Sequence, residues 1–267
     1  MSSVEDQIGA ALGAYEPECR WELIDSILHG CPDDVFAAAS LLVDSSDPRA
    51  RTLGADLLGR LGPADMPKRD RILRILRGAL AIERLPGPTA SIVAALGHLG
   101  DPSALTLVYP LVFHPSPEVR LAAAFAIATL SPEPLGPQAR GALIALSRDT
   151  NSEVRDWATH GLGTLFDDDC DEVRDALAAR GEDQCPEARA EALFGLAVRH
   201  DPRAVPLLIK ALKSPQVADL EVDAAALTQD VRLLPALWAL QLAGRGNAPA
   251  LRRAIDLCSG AEKPALA

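Results

Sequence analysis

Val119-Arg120-Leu121-Ala122-Ala123-Ala124-Phe125-Ala126-Ile127-Ala128 returns as Val154-Arg155-Asp156-Trp157-Ala158-Thr159-His160-Gly161-Leu162-Gly163 and as Ala188-Arg189-Ala190-Glu191-Ala192-Leu193-Phe194-Gly195-Leu196-Ala197. The shared form is an apolar residue, Arg, two variable residues, a small residue, then an aliphatic residue and a small one. Upstream, Ala50-Arg51 leads to Leu58-Gly59, and a degenerate copy puts Thr89 in place of the arginine ahead of Leu96-Gly97. A weaker first copy runs from Cys19-Arg20 to Ile27-Leu28. The anchors at 20, 51, 89, 120, 155 and 189 stand 31, 38, 31, 35 and 34 residues apart. A fixed step of this size is the mark of a repeat architecture, one helical hairpin per step.

Second apolar segments lie between the anchored ones: Val35 to Val43, Ile72 to Ile82, Leu105 to Phe113, Gln138 to Leu146, Val173 to Ala179 and Val205 to Leu212. Their apolar residues recur at helical spacing, and breakers such as Pro32, Asp47-Pro48, Pro86-Gly87-Pro88, Pro115-Ser116-Pro117 and Asp201-Pro202 separate them. In Val154 to Leu165 the residues Val154, Ala158, Gly161, Leu162 and Leu165 fall on one stripe. A lone hairpin cannot bury that stripe, whereas stacked copies bury it continuously. The expected fold is an all-α, right-handed α-solenoid of about six to seven hairpins. It is one domain over 1–267, with a cap helix over 1–16, regular repeats over 17–213, an irregular hairpin and cap over 214–258, and a flexible tail over 259–267.

The motif resembles HEAT-like repeats of the short bacterial type, the group named after bilin lyases of the phycobilisome. The resemblance covers residues 17 to 213, with a looser last hairpin from Val231 to Cys258. It implies that Arg51, Arg120, Arg155 and Arg189 sit on helices lining a concave side. It also implies that an acid six residues before each arginine supports a ladder between repeats. Asp149 and Asp183 keep that spacing; Ser45 and His114 do not, which predicts an incomplete ladder. The tetratricopeptide array has a similar step, but its Trp, Leu-Gly and Tyr positions are not repeated here, and the Thr-Pro-Leu-His of ankyrin repeats is absent.

Composition agrees with close helix packing. Hydrophobic residues make up 48% of the chain but aromatic ones only 4%. A net charge of −11 opposes binding to a phosphate backbone and favours a protein or peptide partner. The five cysteines (Cys19, Cys31, Cys170, Cys185, Cys258) form no Cys-x-x-Cys pair, so neither a disulfide framework nor a zinc site is indicated, and a reducing cytoplasm is the expected home. Glu5 and Asp6 stand where a secretory signal would be basic, and the longest apolar run, Leu121 to Leu130, falls short of the ~20 residues that span a bilayer.

Three features stand out as candidate sites. Counting five past each anchor gives Asp56, Ala94, Phe125, His160 and Phe194, a row that points away from the buried stripe, with Leu121 and Asp156 one turn earlier and Trp157 beside it. Exposed, this row would bind a partner; tilted, Phe125 and Phe194 would pack between repeats. Of the tryptophans, only Trp157 reads as a contact residue, with Trp238 filling a gap in the last hairpin. Lys68, Arg71, Arg74 and Arg77 recur every third residue along one helix, with Arg84 beyond. They form either a basic patch for nucleic acid over 68–84 or a solvated face pairing with Asp65, Asp70 and Glu83. Asp167, Asp168, Asp169, Asp171 and Glu172 lack the Gly and distant Glu of a calcium loop and read as charge on a turn and helix N-terminus.

No catalytic set, metal site or cofactor is expected. The five histidines are followed by Gly, Leu, Pro, Gly and Asp, so the His-Glu dipeptides that hold iron in deoxyhypusine hydroxylase, a HEAT-like enzyme, are missing. The HEAT-like alkylpurine DNA glycosylases use a basic groove that this acidic chain lacks. No Gly-x-Ser-x-Gly elbow or Walker loop occurs. The reading is a non-enzymatic scaffold or adaptor; the alternatives are a nucleic-acid-associated protein using the basic helix, or a bilin-lyase-like chaperone or enzyme.

Overall fold

The computed structural model describes residues 4–13, 17–62 and 66–260, without the side chains of 17–20, 66 and 67. Parts of the expected cap over 1–16 and of the tail over 259–267, together with Asp65 and the Arg20 side chain, lie outside the described residues. The chain divides into two compact units, Met1–Pro132 and Glu133–Ala267.

In the first unit the helices are α1 (Val4–Gly13), α2 (Pro17–Leu28), α3 (Pro32–Val43), α4 (Pro48–Leu61), α5 (Met66–Ile82), α6 (Pro86–Leu99), α7 (Leu105–Val108) and α8 (Pro117–Leu130). The second holds α9 (Pro137–Leu146), α10 (Ser152–His160), α11 (Asp171–Arg180), α12 (Pro186–Val198), α13 (Ala204–Ala211), α14 (Asp219–Thr228), α15 (Leu234–Leu242) and α16 (Ala248–Cys258). Among the described residues there is no strand. Consecutive helices pair, and the even-numbered helices stack on one another: α4 on α6 and α6 on α8 in the first unit, then α10 on α12, α12 on α14 and α14 on α16 in the second. Among the described residues, seven hairpins run from Pro32 to Cys258, behind the pair α1 and α2.

Proline opens α3, α4, α6, α8, α9 and α12, where its missing N–H costs nothing and its fixed φ suits the first turn. The stack is tight because the even helices meet through small residues. A Cβ on Gly195 would lie 2.6 Å from the Cα of Gly163, and one on Gly163 would lie 2.6 Å from the Glu191 carbonyl oxygen. Large fully buried side chains, Leu57, Leu58, Ile92, Leu96 and Ile127 among them, fill the space between odd and even helices of the first unit.

Two segments depart from the expected periodicity. Leu105 to Phe113 is not one helix: α7 is a single turn between the 3-10 turns Pro102–Ala104 and Tyr109–Phe113, because Pro110 cannot donate a backbone bond. After His160 the chain widens into a π-helical turn, Gly161–Leu165. Val154, Ala158, Gly161 and Leu162 are buried as the stripe requires, but the wider turn rotates Leu165 outward, where it is 42% exposed.

Candidate functional site

The even helices carry two sets of side chains at their starts and along their outward surface. At the starts, each anchoring arginine ties its own turn to the next hairpin. Arg155 donates through Nη1 to the carbonyls of Asp149 and Thr150, and through Nε and Nη2 to the two carboxylate oxygens of Asp183, both at 2.8 Å. Arg51 repeats this on the carbonyls of Ser45 and Ser46 and on the carboxylate of Glu83. Arg189 reaches Glu221, whose side chain is fully buried, and the Gln216 carbonyl. Arg120 holds the carbonyls of His114 and Pro115.

The residue six before each anchor also closes its own turn. The N–H two residues on donates to Ser45, Glu83, His114, Asp149 and Asp183 in turn. A rung therefore needs a carboxylate that both closes a turn and receives the preceding arginine. Ser45 and His114 do only the first. The ladder is fuller than the arginines suggest, because Glu83 stands six before the degenerate Thr89 and Glu221 substitutes from the first turn of α14. Its arginine and two turn N–H bonds hold the Glu83 carboxyl down at about 2.

On the outward surface of the first unit, Trp21, Asp56, Arg60, Ser91, Ala94 and His98 border an open groove of about 550 Å³ floored by Gly59 and Ala95. Trp21 is 49% exposed, and the Arg60 guanidinium lies 5.9 Å from its ring while pairing with Asp25 at 2.6 Å. Leu121 is half-buried. Phe125 lies against the neighbouring helix: its ring centroid is 4.9 Å from that of His98, and it crowds Gly97. Burial and the nearby Arg60 charge lower the His98 pKa and favour the neutral ring.

In the second unit Asp156 and His160, one turn apart on α10, meet Glu191 of α12. His160 Nδ1 lies 3.1 Å from Glu191, which also receives the Thr164 hydroxyl. Trp157 meets the His160 ring edge-on at 5.7 Å. Phe194 is half-buried on α12. Burial first, then the charges of Glu191 and Glu187, raise the Asp156 carboxyl to about 6, while the bond to Glu191 raises His160. This surface is suited to accept hydrogen bonds and positive charge, and more so as pH rises.

The other predicted residues are dispersed. Lys68 pairs with Asp33 at 2.6 Å, Arg71 covers the Phe36 ring at 4.8 Å, Arg77 bonds to the Ser103 hydroxyl, and Arg74 is exposed. Glu83, expected to pair along this helix, is held by Arg51. Of the acidic run, Asp168 caps the Leu135 N–H and Asp169 pairs with Arg174, while Asp171 and Glu172 occupy the first turn of α11. Trp238 does not fill a gap; it is 47% exposed, because α15 is an outer helix with Leu234, Leu237 and Leu240 turned inward instead.

Sequence reading also missed Arg199. It is 6% exposed and donates to five carbonyls, those of Leu162, Gly163, Phe166, Asp168 and Gly195, closing the C-terminal end of the π-turn. Nothing in the local pattern distinguishes it from a surface arginine ending a helix. Among the described residues no helix is long and apolar enough to cross a membrane.

The family model for HEAT repeats matches residues 86–163 and 107–183, and the model for PBS lyase HEAT-like repeats matches 188–214. Protein YibA of Escherichia coli (strain K12) is 29% identical over 216 residues, which cover 79% of this chain and 75% of YibA. The X-ray structure of the E. coli YibA superposes with a TM-score of 0.74 at 24% identity, covering 96% of this chain and 92% of that one. The complex of CpcE and CpcF of phycocyanin lyase from Nostoc sp. PCC7120 aligns with a TM-score of 0.47 at 20% identity, over 61% of this chain and 98% of that one. Repeating arginine-led hairpins, an all-helical stack and both family matches converge: the chain is a HEAT-like repeat protein.

Proposed function

We propose that the chain is a non-enzymatic binding scaffold that holds a peptide or protein partner on the outward surface of its even helices. The observation that carries this reading is the first-unit groove, where a half-exposed tryptophan faces a floor of glycine and alanine. Small floor residues admit a partner's side chain close to the backbone, and tryptophan supplies contact area at little entropic cost. Leu121 flanks this surface in the first unit. Asp156, Trp157, His160 and Phe194 form the corresponding surface of the second, with a charge suited to a basic or hydrogen-bond-donating segment. Phe125 acts in support, since its ring is packed on His98.

The test is quantitative affinity capture from the host with the immobilised chain and with Trp21→Ala/His160→Ala. A retained protein that the double variant loses, while its melting temperature stays unchanged, supports the scaffold. Identical retention by both discards this surface as the binding face.

A further inference from the structure

Where the ladder breaks in the first unit, half of a rung remains. At an intact rung one guanidinium grips the carbonyl six before the anchor and a carboxylate from the next hairpin. At the third anchor Thr89 is buried and turns its hydroxyl to the Leu85 carbonyl, so it offers no cation. Arg84 takes over the carbonyl side: its Nη1 donates at 2.7 Å to the Glu83 carbonyl, the counterpart of the Ser45 and Asp149 carbonyls, and at 3.3 Å to Ala81. The carboxylate side stays empty, because His114 stands where the acid would be and Glu83 is committed to Arg51.

At this edge no arginine of the Thr89 anchor joins the two hairpins. A groove of about 370 Å³ separates them, walled by Leu80, Leu107 and Leu111, with Arg84 and Arg77 at its rim. Phe113, next to the groove-lining His114, is 82% exposed, and Ile82, which lines the neighbouring groove with Arg51 and Glu83, is 74% exposed; both are large apolar side chains left in water at a position where the second unit carries Arg148 and Glu182. An apolar cleft bordered by guanidinium groups complements one kind of ligand. We propose that this edge binds a peptide segment in which an Asp or Glu side chain sits among aliphatic residues, the carboxylate completing the rung on Arg84 and the aliphatic side chains covering the leucine walls and Phe113. The surface is separate from the groove at Trp21, and each can fail without the other.

A random 12-residue phage-displayed library panned against the immobilised full chain tests it. Enriched peptides are expected to carry an acidic residue flanked by aliphatic ones. Their affinity is expected to fall at least tenfold in Arg84→Glu and in His114→Asp, which supplies the carboxylate from within the chain, and to be retained in Trp21→Ala/His160→Ala. Phe113→Ser, a surface change, gives a second readout should either charge variant lose its helical circular dichroism, and is expected to weaken binding about as much. Failure to enrich, enrichment of peptides without acidic residues, preference for an oligonucleotide, or acidic peptides that bind wild type and the folded variants equally would each overturn the proposal.

Discussion

Arg155 and Asp183 face each other across two hairpins, 28 residues apart, through a pair of parallel hydrogen bonds at 2.8 Å. Asp183 is nearly buried, so the pair is screened less than a surface ion pair, and removing either partner deprives the other of two charge-assisted bonds.

Arg155→Ala is expected to destabilise the second unit by about 1.5–3 kcal/mol, the range for hydrogen bonds to charged groups. Asp183→Asn should cost at least as much, because Asp183 also receives Arg180 and the Cys185 N–H. Urea unfolding of both single variants and the double one measures the coupling. Additive losses would show that the rung contributes no interaction of its own.

Gly195→Ala places a methyl group 2.6 Å from the Gly163 Cα, a contact that neither helix can relieve by a rotamer change. A loss of about 1–3 kcal/mol is expected from such overpacking. Gly141, exposed on α9 with open space where a Cβ would stand, is the control: Gly141→Ala should gain up to about 1 kcal/mol. Thermal melts of the two variants should therefore shift in opposite directions.

Arg199→Met removes five hydrogen bonds, four of them buried and the one to Asp168 part-buried. A loss above about 3 kcal/mol is expected, since each unsatisfied buried acceptor costs roughly 1–3 kcal/mol before relaxation. Hydrogen exchange should accelerate first in 161–168, the turn that Arg199 closes. Uniform acceleration across the unit instead would mean that Arg199 serves general packing.

The second unit should gain stability on mild acidification. Asp156 is raised from 3.8 to about 6, so its folded form holds a proton more tightly than the unfolded chain. The cost of its charge is therefore fully present above pH 6 and is relieved as pH falls towards 4. His160 is raised too, so its contribution is complete below about 6.5 and fades as pH climbs through its folded value. Asp201, lowered to about 2, opposes this only below about pH 4. Together the two raised groups should add about 1–2 kcal/mol between pH 8 and pH 5 after allowance for solvent screening. Asp156→Asn should flatten the lower part of the curve; an unchanged profile would refute the assignment.

Much of this architecture is legible from Arg120, Arg155 and Arg189 alone, because one arginine-led motif recurs at a hairpin's length and its small residues dictate close packing. The ladder is legible only in part. Glu83 hides behind Thr89, since a search led by arginine passes over an acid whose own anchor is missing. Glu221 escapes because its role moved from a loop position to a helix turn, where the carboxylate reaches the same guanidinium by another path. The π-turn at Gly161–Leu165 adds a residue that periodicity cannot register, so a regular stripe puts Leu165 on the wrong side. Exposure along the outward surface depends on how neighbouring helices shelter each position. Phe125, Trp21 and Trp238 therefore cannot be sorted before the helices are in place.

Since one carboxylate both ties off a bend and is grasped by the hairpin before it, the grip runs one way along the chain. Loosening the bend at Asp183 frees Arg155 upstream, whereas losing Arg155 leaves that bend closed by its own N–H. Where the rung is intact, a hairpin thus vouches for its predecessor, and damage to its bend passes backward towards the N-terminus more readily than forward.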